Sequence, residues 1–370
     1  MRSFINTLAI VLAATLVVGP ISVLAQNTLA QRISGAPDGV VHVQFAGRPG
    51  TCGDDRDLIG YRNALFAESF QSIGDWHAPN CRPGPVHVAL SVAKGRVTRV
   101  KTYVGASWPH GGERVTDLGT VASSEAASYF FALVPQLEGG IGGGRRGDKS
   151  RMLLPAVLAD DPGAVPRLIA LARDRARLEE THRQAIQWIG LLGDASVVPV
   201  LVSFAREAGA APAGEDIDVD DEAPGKKGLA TAAMAALSTL ENGVGVPALI
   251  DLARTGTSGT RGAAVFWLGQ TGDRRAFAAL HSVIENSRED ERIRAHAIFS
   301  LAHGGNTSDS EFAYLRSIYP RVTSSRLKEG ILQGMGEDES GGSAWLIERA
   351  PRRSRATQDS EERAILGRAA

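Results

Sequence analysis

Arg183-Gln184-Ala185-Ile186-Gln187-Trp188-Ile189-Gly190-Leu191-Leu192-Gly193-Asp194 and Gly262-Ala263-Ala264-Val265-Phe266-Trp267-Leu268-Gly269-Gln270-Thr271-Gly272-Asp273 are two copies of one pattern. Both place Ala, Trp, an aliphatic residue and Gly in the same order, and both reach Gly-Asp at the same offset. Anchored on one helical position, the pattern returns at Met152, Ala185, Ala233, Ala264, Ala297, Ile331 and Ala364, at spacings of 33, 48, 31, 33, 34 and 33. Self-similarity at this period marks stacked supersecondary units, each too small to bury its apolar face alone. The one long step contains an inserted loop at 209–228, rich in Ala, Gly, Pro and Asp. Solenoids accept such insertions between units.

A proline stands fourteen residues past the first three anchors, at Pro166, Pro199 and Pro247. Proline fits the first turn of a helix and no later position, so each marks the start of a second helix. Segments such as Val200-Leu201-Val202-Ser203-Phe204-Ala205 then keep apolar residues at helical spacing. Each unit therefore reads as a hairpin: a first helix with small residues for close packing, a Gly-Asp or Gly-Asn turn, and a second helix. The fourth to sixth units lack the proline, and Ala364 has no second helix after it, so that last segment is expected to cap the stack.

This pattern resembles HEAT repeats, in particular the short bacterial HEAT-like type, of which some members act in phycobilisome assembly. The resemblance spans roughly 150–370. It implies an α-solenoid that binds another protein, and second helices that line its concave surface. Seven residues after the three prolines stand Arg173, Arg206 and Arg254. Equivalent residues in a solenoid stack into a column, so the resemblance implies a basic docking groove. The position suits arginine for a second reason: a cation in the last helical turn gains about 0.3–1 kcal/mol from the helix dipole. The fourth unit carries Glu285 there instead.

Residues 26–118 follow another grammar. Val40-Val41-His42-Val43-Gln44-Phe45 and Val86-His87-Val88-Ala89-Leu90-Ser91-Val92 alternate as half-buried strands do. The second strand continues through a Gly-containing turn into Arg96–Val104, a hairpin. The expectation is a small β-rich domain. Residues 119–150 read as a helix from Ser123 to Leu137, with Ser123 as its N-cap, and a Gly-rich connector. The fold class is α+β, mainly α, with the solenoid over 151–370.

The first 25 residues read as an export signal: Arg2, an apolar run from Leu8 to Val18, and Val23-Leu24-Ala25 before the cleavage point. Pro20 interrupts the run, and a membrane span needs about 20 apolar residues, so no span is expected after cleavage. Export to the periplasm, cell envelope or medium gives meaning to the two cysteines, Cys52 and Cys81, as a disulfide. Such a loop restricts the unfolded chain by about 3–4 kcal/mol in the entropic model. The competing use is a metal site of Cys52, His77 and Cys81, which lacks a fourth ligand. Lys+Arg 40 against Asp+Glu 41 argues against nucleic acid as a partner.

Other motifs fall short. Gly142–Ser150 has the glycines of a phosphate loop, but Asp148 separates Gly147 from Lys149 and no strand precedes it. Asp216-Ile217-Asp218-Val219-Asp220 begins like a calcium loop, yet Asp221 replaces the required Gly and Lys227 the closing Glu. The acidic loop sits next to the arginine column in the repeat order, with opposite charge. Trp188 and Trp267 at equivalent positions read as core. No catalytic constellation, cofactor motif or metal site stands out. The expectation is an exported scaffold for a protein partner. The contrary reading is a hydrolase, or a ligand- or metal-binding site, in the β domain around Asp54, Asp55, His77 and His110.

Overall fold

The computed structural model describes residues 27–56, 58–62, 64–66, 71–73, 81–108, 114–138, 151–207, 228–304, 308–336 and 342–349. The apolar leader, His77, His110, the Gly-rich connector, the acidic stretch 216–222 and Ala364 lie outside them. Among the described residues no helix is long and apolar enough to cross a membrane.

The N-terminal part opens with α1 (Leu29–Ser34), where Thr28 and Gln31 exchange the two bonds of a capping box. Strand β1 (Gly39–Phe45) follows, then five short strands: β2 (Thr51–Gly53), β3 (Ile59–Tyr61), β4 (Ala64–Phe66), β5 (Gln71–Ile73) and β6 (Arg82–Pro83). These five form one sheet in the order β5-β4-β3-β2-β6, and a disulfide joins Cys52 of β2 to Cys81, just before the edge strand β6. The predicted hairpin is β7 (Val86–Ala93) and β8 (Arg96–Val104), turned at Lys94 and Gly95, both with positive φ. With β1 and β9 (Val115–Thr120) it makes a second sheet, β8-β7-β1-β9, in which β9 runs parallel to β1.

Alternation sorts this sheet's faces. Val41, Val43, Phe45, Val86, Val88, Leu90 and Val92 point inward and are buried. Helix α2 (Ser123–Glu138) covers them with Ala126, Ala127, Phe130 and Val134, and the Phe45 and Phe130 rings lie 6.0 Å apart. Ser123 is the first helical residue rather than the cap. Its hydroxyl donates to Ala46 O at 3.0 Å, a tertiary bond that no local pattern announces.

Among the described residues six helical hairpins then stack. Their first helices are α3 (Leu154–Leu158), α5 (Glu179–Leu192), α7 (Leu229–Thr239), α9 (Ser258–Gln270), α11 (Glu291–Ala302) and α13 (Ser325–Gly336). The second helices are α4 (Ala164–Arg173), α6 (Val198–Glu207), α8 (Val246–Thr255), α10 (Arg274–Glu285), α12 (Asp309–Ile318) and α14 (Gly342–Arg349). Pro166, Pro199 and Pro247 fall in first turns, as expected. Ala185, Ala233, Ala264, Ala297 and Ile331 are fully buried. The Gly-Asp turns have a direct cause: Asp194 and Asp273 accept from the backbone N of Ser196 and Arg275, so each carboxylate caps the helical turn that begins there.

Successive first helices from α5 to α13 pack directly on one another, whereas the second helices pack chiefly on the first helix of the next unit. Small residues make the first contact. A Cβ at Gly190 would lie 2.6 Å from Ala236 Cα, and one at Gly269 would overlap Ser300 O.

The sheets close the N-terminal end of the stack. Arg48 donates from Nε to Val157 O at 2.8 Å and from Nη2 to Ala159 O and Asp161 O, satisfying carbonyls at the end of α3. Arg62 donates to Leu191 O at 2.6 Å and pairs with Glu241, while Tyr61 packs on buried Trp188. Glu138, at the end of α2, accepts from Leu178 N and Thr181 Oγ1 at the start of α5 and pairs with Arg177 at 2.6 Å. This puts a carboxylate where the dipole of α5 favours one.

Candidate partner-binding face

Each second helix shows solvent one short row of side chains. In α4 the row is Pro166, Ile169 and Arg173; in α6 it is Pro199, Val202 and Arg206; in α8 it is Pro247, Ile250 and Arg254. The prolines and arginines are exposed and the aliphatic residues half-buried. Spacing of three and four residues puts all three on one side of a helix. The repeat register aligns the rows across units. In α10 and α12 the middle position passes to His281 and Tyr314, whose rings stack at 3.7 Å and 16°. Tyr314 donates to Glu285 at 3.4 Å. Burial, ahead of Glu285, pushes the Tyr314 phenol up; burial pushes the His281 imidazole down, against the pull of Glu311 and Glu285. The face therefore runs from aliphatic and basic in the first three units to aromatic in the next two, with Glu285 in place of the arginine in α10.

All three predicted arginines close their helices. Arg206 also reaches Asp251 of α8 at 3.0 Å, with the two side chains 59% and 54% exposed. An ion pair that wet contributes about 0–1 kcal/mol.

A different set of basic residues does the fastening between units. Three residues before the anchors, Arg261 Nε donates to Ala253 O at 3.0 Å and Arg294 Nε donates to Ile284 O at 2.8 Å. His182 Nε2 lies 2.8 Å from Asp174 O at the same place in the second unit. Each ties a first helix to the C-terminal carbonyls of the preceding second helix. Arg261 also pairs with Glu289. The register that revealed the anchors held this signal, one turn upstream.

Because the second helices stand apart, a cleft of about 460 Å³ opens between α8 and α10 over α9. Ile250, Ala253, Leu268, Ala279 and Val283 give it apolar walls; Arg254, Ser282 and Asn286 stand on its polar side, with Arg261 and Glu289 alongside.

In the β part, Asp54 accepts from Arg56 N and Leu58 N, and Asp55 accepts from Ser107 N at 2.9 Å, so both carboxylates hold turns. Sequence reasoning missed a cluster beside them. Trp108 stacks on His42 at 3.7 Å and meets the edge of His87, and His87 Nε2 lies 3.1 Å from Gly105 O. Desolvation lowers both imidazoles, against Asp117 for His42 and against Gly105 and Asp55 for His87. Both histidines sit at outward positions of the strand alternation, which is the only local mark they carry. Among the described residues no group of three His, Cys, Asp or Glu is arranged to hold a metal ion.

The family model of the PBS lyase HEAT-like repeat matches residues 260–286, which fall in the α9–α10 hairpin and border the cleft. No curated protein matches the chain. Among solved structures, human deoxyhypusine hydroxylase in complex with glycerol is similar at 16% identity, covering 58% of this chain and 88% of that one, with a TM-score of 0.27. An engineered protein is similar at 17% identity, covering 55% of this chain and 94% of its own, with a TM-score of 0.26. The helical region is a stack of helical hairpins, one of which, over residues 260–286, is similar to the HEAT-like repeat.

Proposed function

We propose that this chain, a HEAT-like solenoid closed at one end by a disulfide-bonded β part, is an exported scaffold that binds a protein partner along its second-helix face. The observation that carries the reading is the register of that face: a half-buried aliphatic residue and an exposed arginine repeat in α4, α6 and α8. Solenoids use the aligned rows of their concave face as extended binding surfaces, and the resemblance puts the second helices there. Arg173, Arg206 and Arg254 supply long-range attraction and the aliphatic row supplies buried area. The apolar leader and the Cys52–Cys81 bond support export.

The test uses the full mature chain as bait in an envelope fraction. Arg173→Glu, Arg206→Glu and Arg254→Glu together should cut recovery of a specific partner at least tenfold while helical circular dichroism stays unchanged. Unchanged recovery would move the docking surface elsewhere. N-terminal sequencing of the secreted product should begin at Gln26; a chain that keeps Met1 would remove the export reading.

A further inference from the structure

The proposed docking face holds enough chemistry to describe the partner more narrowly, on the premise that this face binds. The cleft between α8 and α10 is floored by apolar side chains from three helices, and exposed Ser282 opens onto it. Arg261 and Glu289 are committed to each other, and Arg261 also to Ala253 O. Among the described residues lining the cleft, that leaves Arg254 as the cation available to a ligand. Arg206 and Arg173 hold the same place in the preceding second helices, whereas Glu285 takes it in α10. Attraction for carboxylates therefore extends from the cleft towards the first unit, and Glu285 opposes it in α10.

We infer that the cleft receives an apolar side chain from a carboxylate-rich segment of the partner, whose acidic residues run from Arg254 towards Arg206 and Arg173. An apolar anchor contributes buried area in such a half-open cleft, and flanking charges fix register and direction. The exposed Arg206–Asp251 pair is weak enough to exchange for a partner carboxylate. A basic segment would meet Arg254 at the cleft mouth and be repelled.

The test is a selection of phage-displayed random 12-residue peptides on the full mature chain. Enriched peptides should carry one large apolar residue beside Asp or Glu. A synthetic copy should bind at least tenfold more weakly to Ser282→Trp, which fills the cleft from an exposed position. It should weaken likewise against Arg254→Glu, and Ser282→Ala should bind as the unaltered chain does. Enrichment of basic or uncharged peptides, binding indifferent to Ser282→Trp, or no enrichment would each overturn the inference. A natural partner captured through the arginines despite such a result would leave the scaffold reading standing. Loss of that partner's arginine dependence would instead remove the reading beneath it.

Discussion

At the scale of single residues, the side chains that matter most for stability are those joining distant segments. Glu138 is 7% exposed and Arg177 is 14% exposed, and they bond each other as well as the start of α5. Arg177 keeps its pair with half-exposed Asp174 when Glu138 is removed, so what is lost is the bonds of one part-buried carboxylate, about 1–3 kcal/mol. Glu138→Ala should lower stability to urea by that order; a loss below about 1 kcal/mol would show that water replaces the carboxylate. His296 sets a pH dependence. Burial lowers its proton affinity in the folded chain, while the unfolded chain titrates near 6.5. Below that pH the unfolded state binds the extra proton, so stability is full above about 6.5 and falls as pH drops towards the folded value. Buried His87 and half-buried His42 act in the same direction. The urea midpoint should fall between pH 7.5 and 5.5, and His296→Gln should flatten that slope. None of these pairings was legible in the sequence. Glu138 ends one helix and Arg177 precedes another, and nothing within either segment names its partner. The arginine column was legible because the repeat period displays it.

At the scale of elements, the units depend on where glycine stands. Alanine normally stabilises a helix by about 1 kcal/mol over glycine. Gly259, in the first turn of α9, has nothing within 4 Å of a built Cβ, so Gly259→Ala should stabilise by up to about that amount. Gly190→Ala should do the reverse, by about 1–3 kcal/mol, because the new methyl would overlap Ala236 of α7. Equal effects of the two changes on melting would refute the close approach of first helices. Helix identity, the Gly-Asp turns and the three proline starts were readable here, since each is a local preference repeated along the chain. Which helices meet between units was not: first helix packs on first helix, and each second helix on the first helix of the next unit. It depends on the spacing between layers, which the packing of whole helices sets.

At the scale of the molecule, the β part and the solenoid share one core. Leu153, Leu154, Val157 and Leu158 are buried, with α3 packed against α2 and β7. The first unit is thus completed by the N-terminal part, which does the work of a terminal cap. Reducing the Cys52–Cys81 bond should destabilise the chain by about 3–4 kcal/mol. Sheet and helices should still melt in one transition, because Arg48, Arg62 and Glu138 tie them. Two separated transitions by near- and far-ultraviolet circular dichroism would mean that the parts are independent.

The sequence by itself determined the order of the helical hairpins among the described residues, the hairpin of strands and the cysteine pair, and it set out the row of arginines. Each of these is a periodicity or a local preference, and a linear pattern carries both. The tertiary structure alone decided that α2 belongs with the sheet and that the sheets seal the first repeat. It also decided that Arg48, Arg62 and Glu138 clamp the two parts, and that a cleft opens beside Arg254. Those outcomes depend on which surfaces meet when apolar faces are buried, and that is a property of volumes in three dimensions rather than of any segment of chain.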